Sequence, residues 1–262
     1  MLIIINPTHE HTSLQASKMV ANQVRNHPQT VLGLATGKSP QGLYQELIRL
    51  HREEGLDFSG VTTFNLDEYV GIPKEHPQSF HTQMHQTFLD HVNIRPENIH
   101  LPDGSASDLD EACKEYEQAI RDAGGIDLQV LGIGRSGHIA FNEPISSLVS
   151  RTRLKTLSDE TIQDNRTISE EIPTVAITMG IGTILEARQM LLLAYGSAKA
   201  EAVARAIEGP LTASVSASAL QLHSDVRVLL DEAAAANLTH RTYYDRVIEQ
   251  TAKFSPERLG LI

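Results

Sequence analysis

The 262-residue sequence has a single cysteine, Cys113, and no tryptophan. One thiol excludes any intrachain disulfide, and Cys113 falls within the helical pattern DEACKEYEQAI, where a packing role is expected. Aromatic residues make up 5% of the chain, too few for extended stacking on nucleic-acid bases. Cations are outnumbered, 22 Lys and Arg against 33 Asp and Glu, giving a formal net charge of -11. That field repels nucleic acid and anionic membranes on average, so an anionic ligand would need a local cluster of cations or backbone donors. No apolar run reaches membrane-spanning length. The opening MLIIINPTHEHTS has neither the basic segment nor the apolar length of a signal peptide, so a cytoplasmic location is expected. Internal repeats, low-complexity tracts and Pro/Gly/Ser linkers are also missing, and residues 1–262 read as one domain. A chain of this length can bury a core without disulfide or metal staples.

What is present is a recurring strand, loop and helix. LIIIN precedes SLQASKMVANQVRN; VLGLA precedes TGKSP and PQGLYQELIRLHREEG; VTTFNL precedes DEYVGIPKEHP, read as a loop, and SFHTQMHQTFLDHV. DLDEACKEYEQAIRDAGG, QMLLLAYG, SAKAEAVARAIEG and DVRVLLD continue the alternation. The apolar runs lack period-two alternation, as strands buried on both faces do. This pattern predicts an α/β fold: a doubly wound, mostly parallel sheet flanked by helices and Rossmann-like in plan. The polar, poorly periodic stretch from about 143 to 175 reads as a lid or a helical excursion over the sheet.

Ligands of such sheets bind beyond the carboxyl ends of the strands, and three strands here end in polar sequence. In ATGKSP, Thr36, Gly37, Lys38 and Ser39 precede a helix whose free N–H groups favour an anion, although a plain capping turn has the same composition. The spacing is not that of a Walker A loop. In NLDEYVG, Asp67 and Glu68 follow an apolar strand; a shielded carboxylate there can serve as a general base, or one of the pair can cap a turn. In LGIGRSGHIAFNEP, closely spaced glycines lead into His138, with Glu143 five residues on. An imidazole oriented by a carboxylate is suited to moving protons near neutral pH. His81 and His85 lie four apart but lack an H-E-x-x-H arrangement and an obvious third ligand, so solvated helix-face histidines are expected and no metal. Arg151, Arg153, Lys155, Arg166 and Lys199 are the cations available to a phosphate.

LGLATGKSPQGLY, TFNLDEYVG, ENIHLPDG, DLQVLGIGxxGHIAFNEP, SRTRLKTL, GIGTILEA, GSAKA and SALQLH together resemble the glucosamine-6-phosphate deaminase family, in order and over nearly all of 31–231. The resemblance implies conversion of glucosamine 6-phosphate to fructose 6-phosphate and ammonia, in amino-sugar metabolism and N-acetylglucosamine catabolism, by an enzyme classed as a hydrolase as well as an isomerase. It implies that His138, held by Glu143, opens the sugar ring and that Asp67 moves the C2 proton, with no metal and no organic cofactor. Thr36, Gly37, Lys38, Ser39, Gly137, Arg166 and Lys199 match positions facing the sugar phosphate. Ser146, Arg153 and Lys155 match an effector site for N-acetylglucosamine 6-phosphate, which implies an allosteric homohexamer.

One position departs from the family pattern. Family members usually carry Asp or Asn before the Gly-His, where this chain has Ser136. Without that charge, His138 is expected to lean on Glu143 and to hold its proton less tightly. Galactosamine 6-phosphate differs from the glucosamine epimer only at the C4 hydroxyl and stays an alternative substrate. A 6-phosphogluconolactonase has no need of Asp67 as a carbon acid's base. A sugar-phosphate sensor without catalysis is the third reading, with Ser136 as the feature in its favour.

Overall fold

The computed structural model describes residues 1–165 and 173–260. The first half contains β1 (Leu2–Asn6), α1 (His9–Asn26), β2 (Val31–Leu34), α2 (Gln41–Glu54), β3 (Thr62–Asn65), β4 (Asp67–Tyr69) and α3 (Phe80–Thr87). It continues through β5 (Ile99–His100), α4 (Leu109–Asp122) and β6 (Leu128–Gly132). The second half adds β7 (Arg153–Thr156), α5 (Asp159–Asn165), β8 (Val175–Thr178), α6 (Ile181–Leu185), β9 (Gln189–Ala194), α7 (Ala200–Ile207), β10 (Val226–Asp231) and α8 (Arg241–Phe254).

Seven strands form one sheet in the order β1-β10-β9-β6-β2-β3-β5, and each neighbouring pair is parallel. The doubly wound sheet expected from the sequence is therefore present. Its strands are apolar on both sides because helices cover both faces. Leu131, Leu192, Val228 and Leu230 pack on one side with Tyr116, Ile120 and Val203. Leu32, Leu34, Leu191 and Leu229 pack on the other with Val20, Leu43, Leu47 and Met84. Fully burying each such side chain contributes roughly 1.5–3 kcal/mol. Cys113 lies buried in α4, where burial lifts its thiol to about 11, in keeping with a packing role.

The sheet reverses direction beside β2. The chain runs from β2 to β3 and β5, then crosses back to β6 on the other side of β2 and continues to β9 and β10. The carboxyl ends of β2 and β6 thus flank a topological switch point, where the loops diverge and leave a crevice.

Three features differ from the sequence expectation. The DEY segment is not loop but β4, which joins β7 and β8 in a three-stranded antiparallel sheet in the order β4-β8-β7. Asp and Glu are poor strand formers, and this strand forms because β8 arrives from more than a hundred residues away to pair with it. The irregular stretch supplies β7 and α5, with Leu157 and Ile162 packed among Tyr69, Phe80, Phe141 and Ala176. Helix α8, unmarked in the sequence reading, packs Val247 and Ile248 onto the α1 side of the sheet.

Candidate active site

The segments that follow β2, β3, β6 and β9 carry the Thr36–Ser39 turn, Asp67 and Glu68, the Ser136–Glu143 segment and Lys199. After β2, Gly37 adopts φ +86, a conformation glycine takes without strain, and its Cα faces open space. Thr36 and Ser39 are half-buried beside it, Lys38 is exposed, and α2 begins at Gln41. A side chain at Gly132 would lie 3.5 Å from Ser39 Oγ, so this loop sits directly against the end of β6.

From β6 the chain turns through Gly134, which accepts a hydrogen bond from Gly137 N–H at 3.0 Å and donates to the His138 carbonyl at 2.8 Å. The His138 ring lies over Gly134, where an added Cβ would come within 2.2 Å of it. Gly137 is buried at φ +86 against Val215. Ala140 (φ +48) and Ile145 (φ +69) also hold left-handed backbone. For residues with side chains this is strained by roughly 1–3 kcal/mol each, a cost that clusters at functional loops.

Ser136 Oγ lies 2.9 Å from His138 Nδ1, whereas Glu143 Oε2 lies 3.7 Å from the same nitrogen. Glu143 is oriented from its other oxygen, where Oε1 accepts from Ser158 N–H at 3.0 Å and Ser158 Oγ at 3.1 Å. Oε2 is buried with no hydrogen-bond partner among the described residues. Burial holds His138 below the usual imidazole range; Glu143 works the other way, Lys199 adds to the lowering, and Glu160 and Asp164 oppose it. The leading cause of this lowering is burial, not the neutral Ser136.

Asp67 and Glu68 divide two roles that the sequence left open. The Glu68 carboxylate accepts from Tyr69 N–H at 2.8 Å, Phe80 N–H at 2.9 Å and His81 N–H at 2.8 Å, capping the start of α3. Among the described residues no hydrogen bond reaches the buried Asp67 carboxylate. Burial, with a smaller push from Glu68, lifts it to about 8. A desolvated carboxyl of this kind has the raised proton affinity that suits a general base once it is ionised.

Thr178 joins the two halves of the site. Its backbone pairs with Asp67 in the small sheet, and its hydroxyl accepts Phe141 N–H at 3.1 Å. Asn142 extends the seam by donating to the Ile139 carbonyl at 3.1 Å and the Met179 carbonyl at 2.8 Å. Lys199, after β9, is half-buried; desolvation lowers its proton affinity, with Asp164, Arg135 and Glu160 as its charged neighbours. Arg135 Nε donates to Asp164 Oδ2 at 2.8 Å and Nη2 to Asp164 Oδ1, so the histidine loop is bound to α5.

Other candidates are engaged elsewhere. Arg151 pairs with Glu117 and Glu186 away from these loops. Of the effector-site candidates, Ser146 is buried and donates to the Glu143 carbonyl at 2.7 Å, Arg153 donates to Asn142 Oδ1 at 2.9 Å, and Lys155 is half-buried on β7. Arg166 lies outside the described residues. Sequence reasoning missed Ser158, Asp164 and Thr178, ordinary polar residues that no local motif marks.

The family model described as glucosamine-6-phosphate isomerases/6-phosphogluconolactonase matches residues 8–228. A glucosamine-6-phosphate deaminase of Thermoanaerobacter sp. (strain X514) is 48% identical over 239 residues, 90% of this chain and 94% of that protein. One from Shewanella loihica is 46% identical over an alignment covering 100% of this chain and 98% of that protein. A solved structure described as a monomeric glucosamine-6-phosphate deaminase superposes with a TM-score of 0.89 at 44% identity, covering 90% of this chain and 100% of that one. A 6-phosphogluconolactonase from Trypanosoma brucei, at 20% identity and a TM-score of 0.73, shares the fold. These descriptions correct the hydrolase class expected above to isomerase and deaminase. A monomeric relative also means that family likeness does not carry the expected allosteric homohexamer.

Proposed function

Because this chain belongs to the family of glucosamine-6-phosphate isomerases and 6-phosphogluconolactonases, we propose that it is a glucosamine-6-phosphate deaminase. It converts glucosamine 6-phosphate and water to fructose 6-phosphate and ammonia. The observation that carries this reading is Asp67, a buried carboxyl lifted to about 8 and joined through Thr178 to the histidine loop.

The sugar phosphate enters at the switch point. Its phosphate is received by Thr36, Gly37, Lys38 and Ser39, by the start of α2, and by Lys199 and Arg166. The free N–H groups and these cations favour a dianion despite the chain's net charge of -11. Gly137 keeps the backbone close to the sugar. The segment from about 143 to 175 acts as a lid, a role supported by α5, whose Asp164 is held by Arg135 and whose Asn165 donates to Tyr69 Oη at 3.2 Å.

His138 moves a proton at the ring oxygen and opens the pyranose to the aldehyde. Its Nδ1 faces Ser136, which leaves Nε2 for the substrate. The charge of Glu143 stabilises the imidazolium as it forms. The aldehyde acidifies the C2 proton, which Asp67 removes to give an enolamine; a proton is then delivered to C1. The C2 imine that results takes up water and releases ammonia. In the free protein Asp67 is held largely protonated at neutral pH, but the substrate's own C2 ammonium brings a positive charge that favours the carboxylate. The base is thus primed by the substrate that needs it.

A lactonase has no carbon acid to ionise and no use for a carboxyl lifted in this way. The relatives described as lactonases share the fold at 15–22% identity. We place the reaction in the cytoplasm, since a phosphate dianion does not cross a bilayer unaided. Among the described residues no helix is long and apolar enough to cross a membrane.

The decisive test is ammonia release from glucosamine 6-phosphate and galactosamine 6-phosphate in parallel, repeated with His138→Ala. Release from the glucosamine epimer, lost in the variant, is expected. No release from glucosamine 6-phosphate, or undiminished release in the variant, overturns the assignment.

A further inference from the structure

Helix α3 carries a histidine pair that the proposed reaction does not use. His81 and His85 lie one helical turn apart, and their ring centroids are 4.5 Å from each other with 33° between the planes. Residues four apart on a helix share one face, which makes this pairing a property of the helix rather than of a mobile loop. Asp90, just past the end of α3, reaches back so that its Oδ1 lies 2.7 Å from His85 Nδ1. A carboxylate on Nδ1 fixes the tautomer with the proton there and presents the Nε2 lone pair outward. Neither ring nitrogen of His81 makes a hydrogen bond among the described residues. Both side chains are half-buried, accessible yet restrained.

From this arrangement we propose that His81 and His85 form a binding site for a borderline divalent transition-metal ion such as Zn2+, with Asp90 orienting His85 and water completing the coordination. Imidazole nitrogens suit Zn2+, Ni2+ and Cu2+ and disfavour Mg2+ and Ca2+, which take oxygen ligands. Two nitrogens on one helix face can each approach a single ion at the usual distance of about 2.0–2.1 Å. Among the described residues no group of three or more His, Cys, Asp or Glu gathers for a metal, so this is an open site with two protein ligands. It binds by chelation across one turn and is not a closed structural centre.

Occupancy would pin the first turns of an eight-residue helix. Those turns supply the Phe80 and His81 N–H groups that hold Glu68, the neighbour of Asp67. The site is separate from the proposed proton-transfer steps, so its presence does not depend on the enzymatic reading.

The test is calorimetric titration of ZnCl2 into the untagged full-length protein after EDTA treatment and dialysis. One equivalent is expected to bind and to raise Tm, since a ligand held only by the native state stabilises it. His81→Gln and His85→Gln should each weaken binding at least ten-fold. Asp90→Asn, which spares both ligands, should weaken it by about ten-fold, as the loss of an orienting carboxylate does. His76→Gln should leave binding unchanged, because His76 Nδ1 already accepts from Gln78 N–H at 3.2 Å. Should a variant fold poorly, imidazole 15N resonances of the wild-type chain give an independent reading, with His81 and His85 shifting on addition of Zn2+. Binding by the wild type no tighter than by the doubly substituted H81Q/H85Q chain overturns the proposal, as does a zinc-induced shift confined to other histidines.

Discussion

The hydroxyl of Ser136 stands 2.9 Å from His138 Nδ1, inside hydrogen-bond range, while the Glu143 carboxylate stands 3.7 Å away, outside it. A neutral group thus makes the contact, and the charge acts from the next layer. Replacing Ser136 by Asp would put a carboxylate on Nδ1 and raise the proton affinity of His138. The pH dependence of kcat should then move its histidine limb to higher pH by up to about one unit. An unmoved limb would show that Ser136 does not set the histidine. Glu143→Gln keeps the Ser158 contacts and removes only the charge, so it should lower kcat by about 10²-fold with little change in KM.

Asp67, the proposed base, is held in a form that costs stability as pH rises. Its folded-state value of about 8 lies well above the ordinary 3.8. A raised carboxyl contributes stability below its unfolded value, and that contribution is lost as pH rises through the folded value. Across the window from about 4 to about 8 the wild type should therefore lose stability that Asp67→Asn retains. Melting temperatures of the two proteins should diverge as pH rises, with the variant the more stable. Its deaminase activity should fall by about 10²–10⁴-fold. Equal melting curves at pH 8 would mean that Asp67 is not the strained base inferred here.

The Arg135–Asp164 pair spans from the histidine loop to α5. Both side chains are partly exposed, 46% and 33%, so solvent screening limits what the pair contributes. Asp164→Asn should raise KM for the sugar phosphate by about two- to five-fold and leave kcat nearly unchanged, and the effect should shrink at high salt. A loss confined to kcat would place Asp164 in the proton-transfer chemistry.

Glu117 on α4 holds the strand that carries Arg153. Its carboxylate accepts from Thr152 N–H at 2.8 Å, Thr152 Oγ1 at 2.6 Å and Thr183 Oγ1 at 2.5 Å, and it pairs with Arg151. Burial works against its charge, but these donors outweigh it and hold the carboxyl below the usual range. Glu117→Ala strands them and should cost about 3 kcal/mol, which lowers Tm by about 6–12 °C. The stability that Glu117 supplies is present above the unfolded carboxyl value and is lost as pH falls through its depressed folded value. The gap between variant and wild type should therefore close in acid. A thermal scan at pH 7 and in acid checks both statements.

Much of this protein is written locally. The doubly wound sheet follows from apolar runs alternating with amphipathic helices, a signal carried within each ten or fifteen residues. The residues around His138 were visible because glycines, a histidine and a carboxylate fall in one loop. Asp67 was visible as a carboxylate that its strand could not explain. Local sequence did not show which of Asp67 and Glu68 caps a helix, because that depends on the N–H groups of Phe80 and His81, which α3 aims back at Glu68. Nor did it show that DEY is a strand, since β4 needs Val175–Thr178 for a partner. Ser158, Asp164 and Thr178 reach the site across 15, 29 and 37 residues and carry no motif of their own. The sequence by itself determined the kinds of group at the strand ends and the order of the elements, because periodicity and turn chemistry are short-range. Tertiary structure alone decided which carboxyl is desolvated, which partner faces Nδ1 and which charges face one another. Solvation and Coulomb energies depend on distance through space and not along the chain.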